Sequence, residues 1–239
     1  MIGLMSIEEI CDGATIAIDK PIGWTSFDVV NRMKWFLMKE CGVKNIKIGH
    51  AGTLDPLASG LLVVCTGSHT KRIQHIQGGT KHYTGSISLG QTTPSYDLET
   101  EPEGSYDTSH IEDRMIEETS MSFIGRQLQR PPDFSAKIIN GKRAYESARK
   151  GIAVEMRMSE IEIYSLQVQR VEEKLLSFDL KCSKGTYVRS LAHDFGKRLG
   201  SGAYLSSLRR LGSEPYDVAD APTIDIWIEN MKRSVQQMD

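Results

Sequence analysis

Between Gly49 and Gly60 the chain reads Gly-His-Ala-Gly-Thr-Leu-Asp-Pro-Leu-Ala-Ser-Gly, a loop in which one carboxylate, Asp55, sits among glycines and a proline just ahead of an apolar run. Glycines let a substrate approach the backbone, and Pro56 restricts Asp55 to an extended conformation that projects its side chain. A carboxylate so placed can act as a nucleophile; Asp before Pro is equally an ordinary turn initiator, and the loop alone favours neither. Common alternatives are missing from the sequence: it has no G-x-x-x-x-G-K-[ST], no dinucleotide fingerprint and no H-E-x-x-H. The four cysteines, Cys11, Cys41, Cys65 and Cys182, show no C-x-x-C spacing and suit reduced thiols. No cofactor, metal site or disulfide is expected.

Such a loop needs a scaffold, and 239 residues with 39% apolar and 25% charged content suit one folded domain rather than a disordered, collagen-like or coiled-coil chain. The longest apolar run, Leu61 to Cys65, is far short of the ~20 residues of a membrane-spanning helix. The N-terminus has no basic region before an apolar run and meets acids at Glu8 and Glu9, so a cytoplasmic location is expected. A net charge of −2 hides an asymmetry. Residues 97–118 carry nine acids and one base, 126–150 seven bases and two acids, and 181–210 seven bases and one acid. The last two stretches could form a basic surface, although charge runs are commonly solvated faces.

Alternation predicts a strand over Ala14–Ile18, followed by a turn through Lys20-Pro-Ile-Gly-Trp24. Thr25 or Ser26 then caps a helix running to about Glu40 that packs Phe27, Val30, Met33 and Leu37 inward. The Gly-rich loop leads into a buried strand, Leu61–Thr66, and a short helix from Gly67. A strand is expected over Lys81–Leu89 and a helix near Ser109–Met121. Gln127–Lys142 reads as a long loop, and Arg143–Lys150 as one or two helical turns. Glu160–Val171 and Lys174–Cys182 suggest an antiparallel pair; Thr186–Leu199, with Val188, Leu191, Ala192 and Phe195 on one face, and Ile224–Val235 read as helices. Strands mixed with helices around one sheet make the α+β class the economical reading.

Several motifs in order, taken together, are specific. They are Lys20-Pro-Ile-Gly-Trp-Thr-Ser26, the Gly49–Gly60 loop, Lys81-His-Tyr83, Arg130-Pro-Pro-Asp-Phe-Ser-Ala136, Cys182-Ser-Lys-Gly-Thr-Tyr-Val-Arg-Ser-Leu191 and Leu208-Arg-Arg210. Over roughly residues 16–220 the sequence resembles the TruB family of bacterial tRNA pseudouridine-55 synthases. The resemblance implies the pseudouridine synthase fold, a mixed and mainly antiparallel central sheet flanked by helices. It implies a single catalytic domain over residues 1–239, with a thumb-like RNA-gripping insertion at about 126–151; many members also carry a C-terminal PUA domain, and with about twenty residues after Asp220 none is expected here. The implied reaction is isomerisation of uridine at position 55 in the T loop of tRNA, without metal or organic cofactor.

The same resemblance assigns roles residue by residue. Asp55 becomes the catalytic nucleophile. Arg189 becomes the cation that offsets its desolvation, against the plain reading of a surface helix charge beside Asp194. Tyr83 matches the tyrosine that stacks on the target base and is a proposed general base, whereas alternation alone makes it a core aromatic. His50 matches a histidine that helps displace the target nucleotide, and otherwise reads as a loop hydrogen-bonder. Tyr187 and Leu208 match substrate-lining positions, though both also read as core residues. Lys20 supports the catalytic loop or a phosphate, or is a solvated turn lysine.

One departure is local: the family pattern L-G-x-x-T-x-T-x-D-x-x-G here has Thr100 at its last glycine, which bears on loop conformation rather than on chemistry. The implied partner is the tRNA T arm, with no guide RNA, no membrane and a monomeric protein. An RNA-folding factor with secondary or no modification activity is the competing reading. A glycosidase is disfavoured, because that chemistry usually takes two carboxylates and the loop offers one.

Overall fold

The computed structural model describes residues 5–135, 138–139, 142–143 and 156–236. In chain order its elements are α1 (Ile7–Gly13), β1 (Thr15–Lys20), α2 (Ser26–Lys39), β2 (Ile48–His50), β3 (Ala58–Thr66), a 3-10 segment (Gly67–Arg72), α3 (Ile73–Gln77) and β4 (Lys81–Leu89). Then follow α4 (Asp113–Ser122), β5 (Gly125–Gln129), β6 (Ile138–Ile139), β7 (Lys142–Arg143), β8 (Ser159–Glu172), β9 (Leu175–Cys182), α5 (Val188–Arg198), β10 (Ala203–Ser213), β11 (Tyr216–Asp217) and α6 (Ile224–Gln236). The class is α+β, with a mainly antiparallel sheet and helices, as expected. Two compact units divide the chain, Met1–Tyr83 with Arg209–Asp239, and Thr84–Leu208.

In the first unit the strand order is β1–β3–β10, with β2 also paired to β3 and β11 to β10. Strand β3 explains its own composition. Leu62 and Val64 join Ile16, Ile18, the α2 residues Val29, Val30, Met33, Phe36 and Leu37, and the α6 residues Ile224, Trp227, Ile228 and Met231. Leu61, Val63 and Cys65 face the other way, against Ala51 and Ile76. A strand covered on both faces must be apolar at every position, hence the unbroken run. The β1–β3 register, from Thr15 opposite Cys65 to Lys20 opposite Gly60, delivers Lys20 to the end of the Gly-rich loop.

Helix α2 starts where expected. Thr25 and Asp28 form a capping box, each side chain accepting the other's backbone N–H. The inward assignment of Phe27 is corrected, since that side chain is 64% exposed. Val29, Val30, Met33, Phe36 and Leu37 make the buried stripe, and at 3.6 residues per turn Phe27 falls roughly 120° from its centre.

In the second unit the order is β10–β4–β9–β8–β5. β8 and β9 form the expected antiparallel pair, from Ile163 opposite Cys182 to Glu172 opposite Leu175. All four residues expected on the apolar face of α5 are buried, and Phe195 stacks on Phe123 at 5.8 Å between ring centroids. The loop reading of Gln127–Lys142 is corrected at its start: Gly125–Gln129 is strand β5, whose polar sequence is held by its ladder to β8 rather than by apolar alternation. Helix α4 begins at Asp113, four residues later than the sequence suggests.

Lys142–Arg143 pairs antiparallel with Ile138–Ile139, so Arg143 is not helical; residues 144–150 lie outside the described residues, as does nearly half of the expected thumb-like insertion. Helix α1 and strand β10 are additions that the patterning did not reveal. Among the described residues no helix is long and apolar enough to cross a membrane, and no group of three or more His, Cys, Asp or Glu could hold a metal ion.

Candidate active site

The Gly-rich loop leaves β2 at His50 and enters β3 at Ala58. Its backbone is tied from outside. The Ser26 hydroxyl, at the start of α2, accepts the Leu54 N–H at 2.8 Å and donates to the Leu54 carbonyl at 3.1 Å. The Gly23 N–H donates to the Pro56 carbonyl at 2.7 Å, and the Ala58 N–H closes a turn on the Asp55 carbonyl at 3.0 Å. Asp55 is thereby carried, half-buried, on a segment whose neighbours on both sides are hydrogen-bonded.

Two buried cations attend this loop. Lys20 is wholly buried and donates from Nζ to the carbonyls of Pro21 (2.9 Å) and Trp24 (2.6 Å). Burial holds its ammonium down to about 8, with the Asp55 charge opposing that shift and Arg210 adding to it. Arg210, 1% exposed on β10, donates from Nε to Leu61 O at 2.7 Å, from Nη2 to Gly52 O at 3.1 Å and from Nη1 to Thr53 O at 3.5 Å. Its neighbour Arg209 points to the other face and grips Asp19 through two bonds of 2.7 and 3.1 Å. His50 is held below the ordinary imidazole range by burial and then by Arg210, which leaves it neutral at pH 7.

The second unit carries a different arrangement around Arg189, in the first turn of α5. This side chain is 5% exposed, so it is not the surface charge beside Asp194 that helix periodicity alone suggests. Nη1 donates to Phe134 O at 2.9 Å, and Nε lies 3.6 Å from the buried carboxylate of Asp97. Asp97 follows Tyr96, which among the described residues is the non-glycine held at positive φ, 64°, and whose ring stacks on His193 at 4.0 Å. Thr100, at the position of the pattern's last glycine, bonds the Ser95 hydroxyl at 2.8 Å, so the departure is absorbed by a side-chain bond within the loop.

Within the first unit Lys20, His50, Asp55 and Arg210 share one electrostatic neighbourhood, and Tyr83, 8% exposed on β4, lies in the same unit. Arg189, Tyr187 and Leu208 belong to the second. Tyr187 sits at the N-terminus of α5, its backbone N–H and carbonyl both bonded by the Gln129 amide at 2.8 and 3.0 Å; Leu208 is half-buried on β10. Lys20 has no exposed surface, which excludes the solvated-turn reading, and its ammonium is bonded within the first motif. Ser26, Asp97 and Arg210 take part here without having been singled out. Their signal was position: each falls inside a motif of the resemblance, but none of their residue types announces burial.

This arrangement offers an ionisable carboxylate on a restrained loop in a neighbourhood of fixed positive charge, which suits covalent or ionic stabilisation at an electrophilic carbon. A model of the TruB family pseudouridylate synthase N-terminal domain matches residues 39–188, which include His50, Asp55, Tyr83 and Tyr187 but not Lys20, Arg189 or Leu208. The chain is 46% identical over 229 residues to tRNA pseudouridine synthase B of Flavobacterium johnsoniae, covering 95% of this chain and 100% of that protein. It is also 46% identical over 226 residues to the protein of that name from Chloroherpeton thalassium, covering 94% and 93%.

Among solved structures, a chain of a Cbf5-Nop10-Gar1 complex superposes with a TM-score of 0.70 at 27% identity, over 96% of this chain and 61% of that one. A chain of an H/ACA RNP bound to a substrate RNA containing 2′-deoxyuridine gives 0.70 at 25%, over 97% and 57%. With a family model matched across more than half its length and relatives aligned almost end to end, the chain belongs to the TruB family of pseudouridylate synthases.

Proposed function

We propose that this enzyme isomerises uridine to pseudouridine in the T loop of tRNA, with Asp55 as the nucleophile. The observation that carries the reading is Asp55 itself, a half-buried carboxylate on a loop fixed at Leu54 and Pro56, with the buried Lys20 ammonium in its field. The reaction cleaves the bond from ribose C1′ to uracil N1, turns the base while it stays bound, and joins C1′ to C5. The proton leaves C5 and N1 gains one, so nothing is oxidised, reduced or hydrolysed. An ionised carboxylate can attack C6 or C1′, or hold a sugar-side intermediate, and all three routes need the restraint this loop provides.

A stacked uridine must be flipped out first, at a cost of a few kcal/mol that backbone contacts offset. In this reading His50 helps displace the nucleotide and Tyr83 stacks on the base. Arg189 supplies positive charge to the closed site, Tyr187 and Leu208 line it, and Lys20 supports the loop. The basic stretches 126–150 and 181–210 bind phosphate with strong salt dependence. In this reading the protein works as a cytoplasmic monomer without a guide RNA; the 46% identity to a protein named tRNA pseudouridine synthase B supports a tRNA substrate.

The test is tritium release from a T-arm tRNA transcript labelled at uridine C5, with no added cofactor. Wild-type protein releases tritium; Asp55→Asn, which keeps the shape, binds the tRNA within about twofold but releases at least ~10³-fold more slowly. Binding without release by either protein would favour the RNA-folding reading.

A further inference from the structure

Arg210 is a guanidinium taken wholly out of water, and a buried cation persists only where its donors are well met. Here the acceptors are three backbone carbonyls, and their places in the chain are informative. Gly52 and Thr53 precede Asp55 in the loop; Leu61 follows it, three residues into β3. The fork therefore bridges the two limbs of the loop on either side of the nucleophile. The backbone of Arg210 closes in as well: Gly60 has φ of 103°, and a Cβ there would lie 2.2 Å from the Arg210 carbonyl oxygen. Strand, loop and side chain thus meet at one residue, and none of the ties runs through a carboxylate that would neutralise the charge.

We propose that Arg210 is a positioning residue for the isomerisation, holding the Gly52–Leu61 loop in the shape that aims Asp55; this rests on the nucleophilic role proposed above. The function lies in the planar fork, not in charge alone. A lysine there would keep the charge but gather its donors on one compact ammonium, unable to reproduce the spread from Leu61 to Gly52. Small displacements of a reacting group are costly, up to about 10²-fold in rate for about 1 Å.

The experiment measures single-turnover pseudouridine formation at saturating tRNA, tRNA affinity, and the His50 imidazole titration by NMR in Arg210→Lys and Arg210→Gln. Expected for both are rates about 10- to 100-fold below wild type with affinity within about twofold. The His50 titration stays low in the lysine variant and moves up toward the ordinary imidazole range in the glutamine variant. Wild-type rates in both variants would overturn the proposal, and so would losses of rate and affinity in equal measure. Failure of both to fold would also overturn it, by making Arg210 a core residue felt by the whole unit. If the wild-type protein itself forms no pseudouridine, the proposed function has failed. Amide exchange at Gly52 and Thr53 then still decides the staple: faster exchange in Arg210→Lys supports it, and unchanged exchange overturns it.

Discussion

The two units bury cations in opposite ways. Around the Gly-rich loop, the side-chain hydrogen bonds of Lys20 and Arg210 go to carbonyl oxygens. Around α5, Arg189 combines a carbonyl with the buried carboxylate of Asp97 at 3.6 Å. A carbonyl cage meets the hydrogen-bonding demand of a cation without cancelling its charge, so the field remains for a nearby anion such as Asp55. A carboxylate partner cancels much of that field and makes each charge depend on the other. The first arrangement suits a site that must keep one carboxylate ionised, and the second fixes the position of a cation whose charge is partly offset.

Four measurements would break or sharpen this contrast. The largest effect belongs to Asp97→Asn, which removes a buried carboxylate charge beside the Arg189 guanidinium; urea unfolding should show a loss of about 3–5 kcal/mol. Lys20→Met should cost less, about 1–2 kcal/mol, because the carbonyls of Pro21 and Trp24 lose a donor while a desolvated cation is removed at the same time. Equal losses in the two variants would erase the distinction.

Third comes pH. Lys20 titrates at about 8 in the fold and at 10.5 when unperturbed, so between those values the unfolded chain binds more protons. Its burial penalty is complete below pH 8 and is relieved as pH rises, so the stability of wild type relative to Lys20→Met should increase by about 1 kcal/mol between pH 7 and 9. A decrease over that range would contradict the carbonyl cage. The smallest effect is expected at the half-exposed Arg209–Asp19 pair, where Asp19→Asn should lower stability by roughly 0.2–1 kcal/mol and less at high salt.

Much of the scaffold was legible in the sequence because local physics decided it. Thr25 or Ser26 announces a helix start, which the structure places at Thr25, and the Leu61–Cys65 run has the composition that a strand buried on both faces requires. Glu172 and Glu173 punctuate two alternating runs that pair as β8 and β9. Phe27 was misread because an apolar residue near the right spacing counts toward a helix face even when the packed stripe leaves it outside. Strand β10 was invisible for the opposite reason. Its serines and arginines show little apolar alternation, yet Ser206 and Ser207 bond Ser86 at 2.8 and 2.7 Å, and Arg210 finds carbonyl partners.

The sequence by itself determined the loop that carries Asp55, the helix caps, the apolar strand behind the loop and, through several ordered motifs, the family. Which charges lie in water and which in the interior was decided only by the tertiary structure. Lys20, Arg189 and Arg210 read along the chain like any solvated base; nothing local distinguishes them from Lys184 or Arg209. Lys20 finds acceptors nearby, at Pro21 and Trp24, but the two arginines depend on partners from distant segments, such as Leu61 for Arg210 and Asp97 for Arg189. Desolvating a cation is favourable only when those partners arrive together, and that condition is a property of the fold rather than of any stretch of residues.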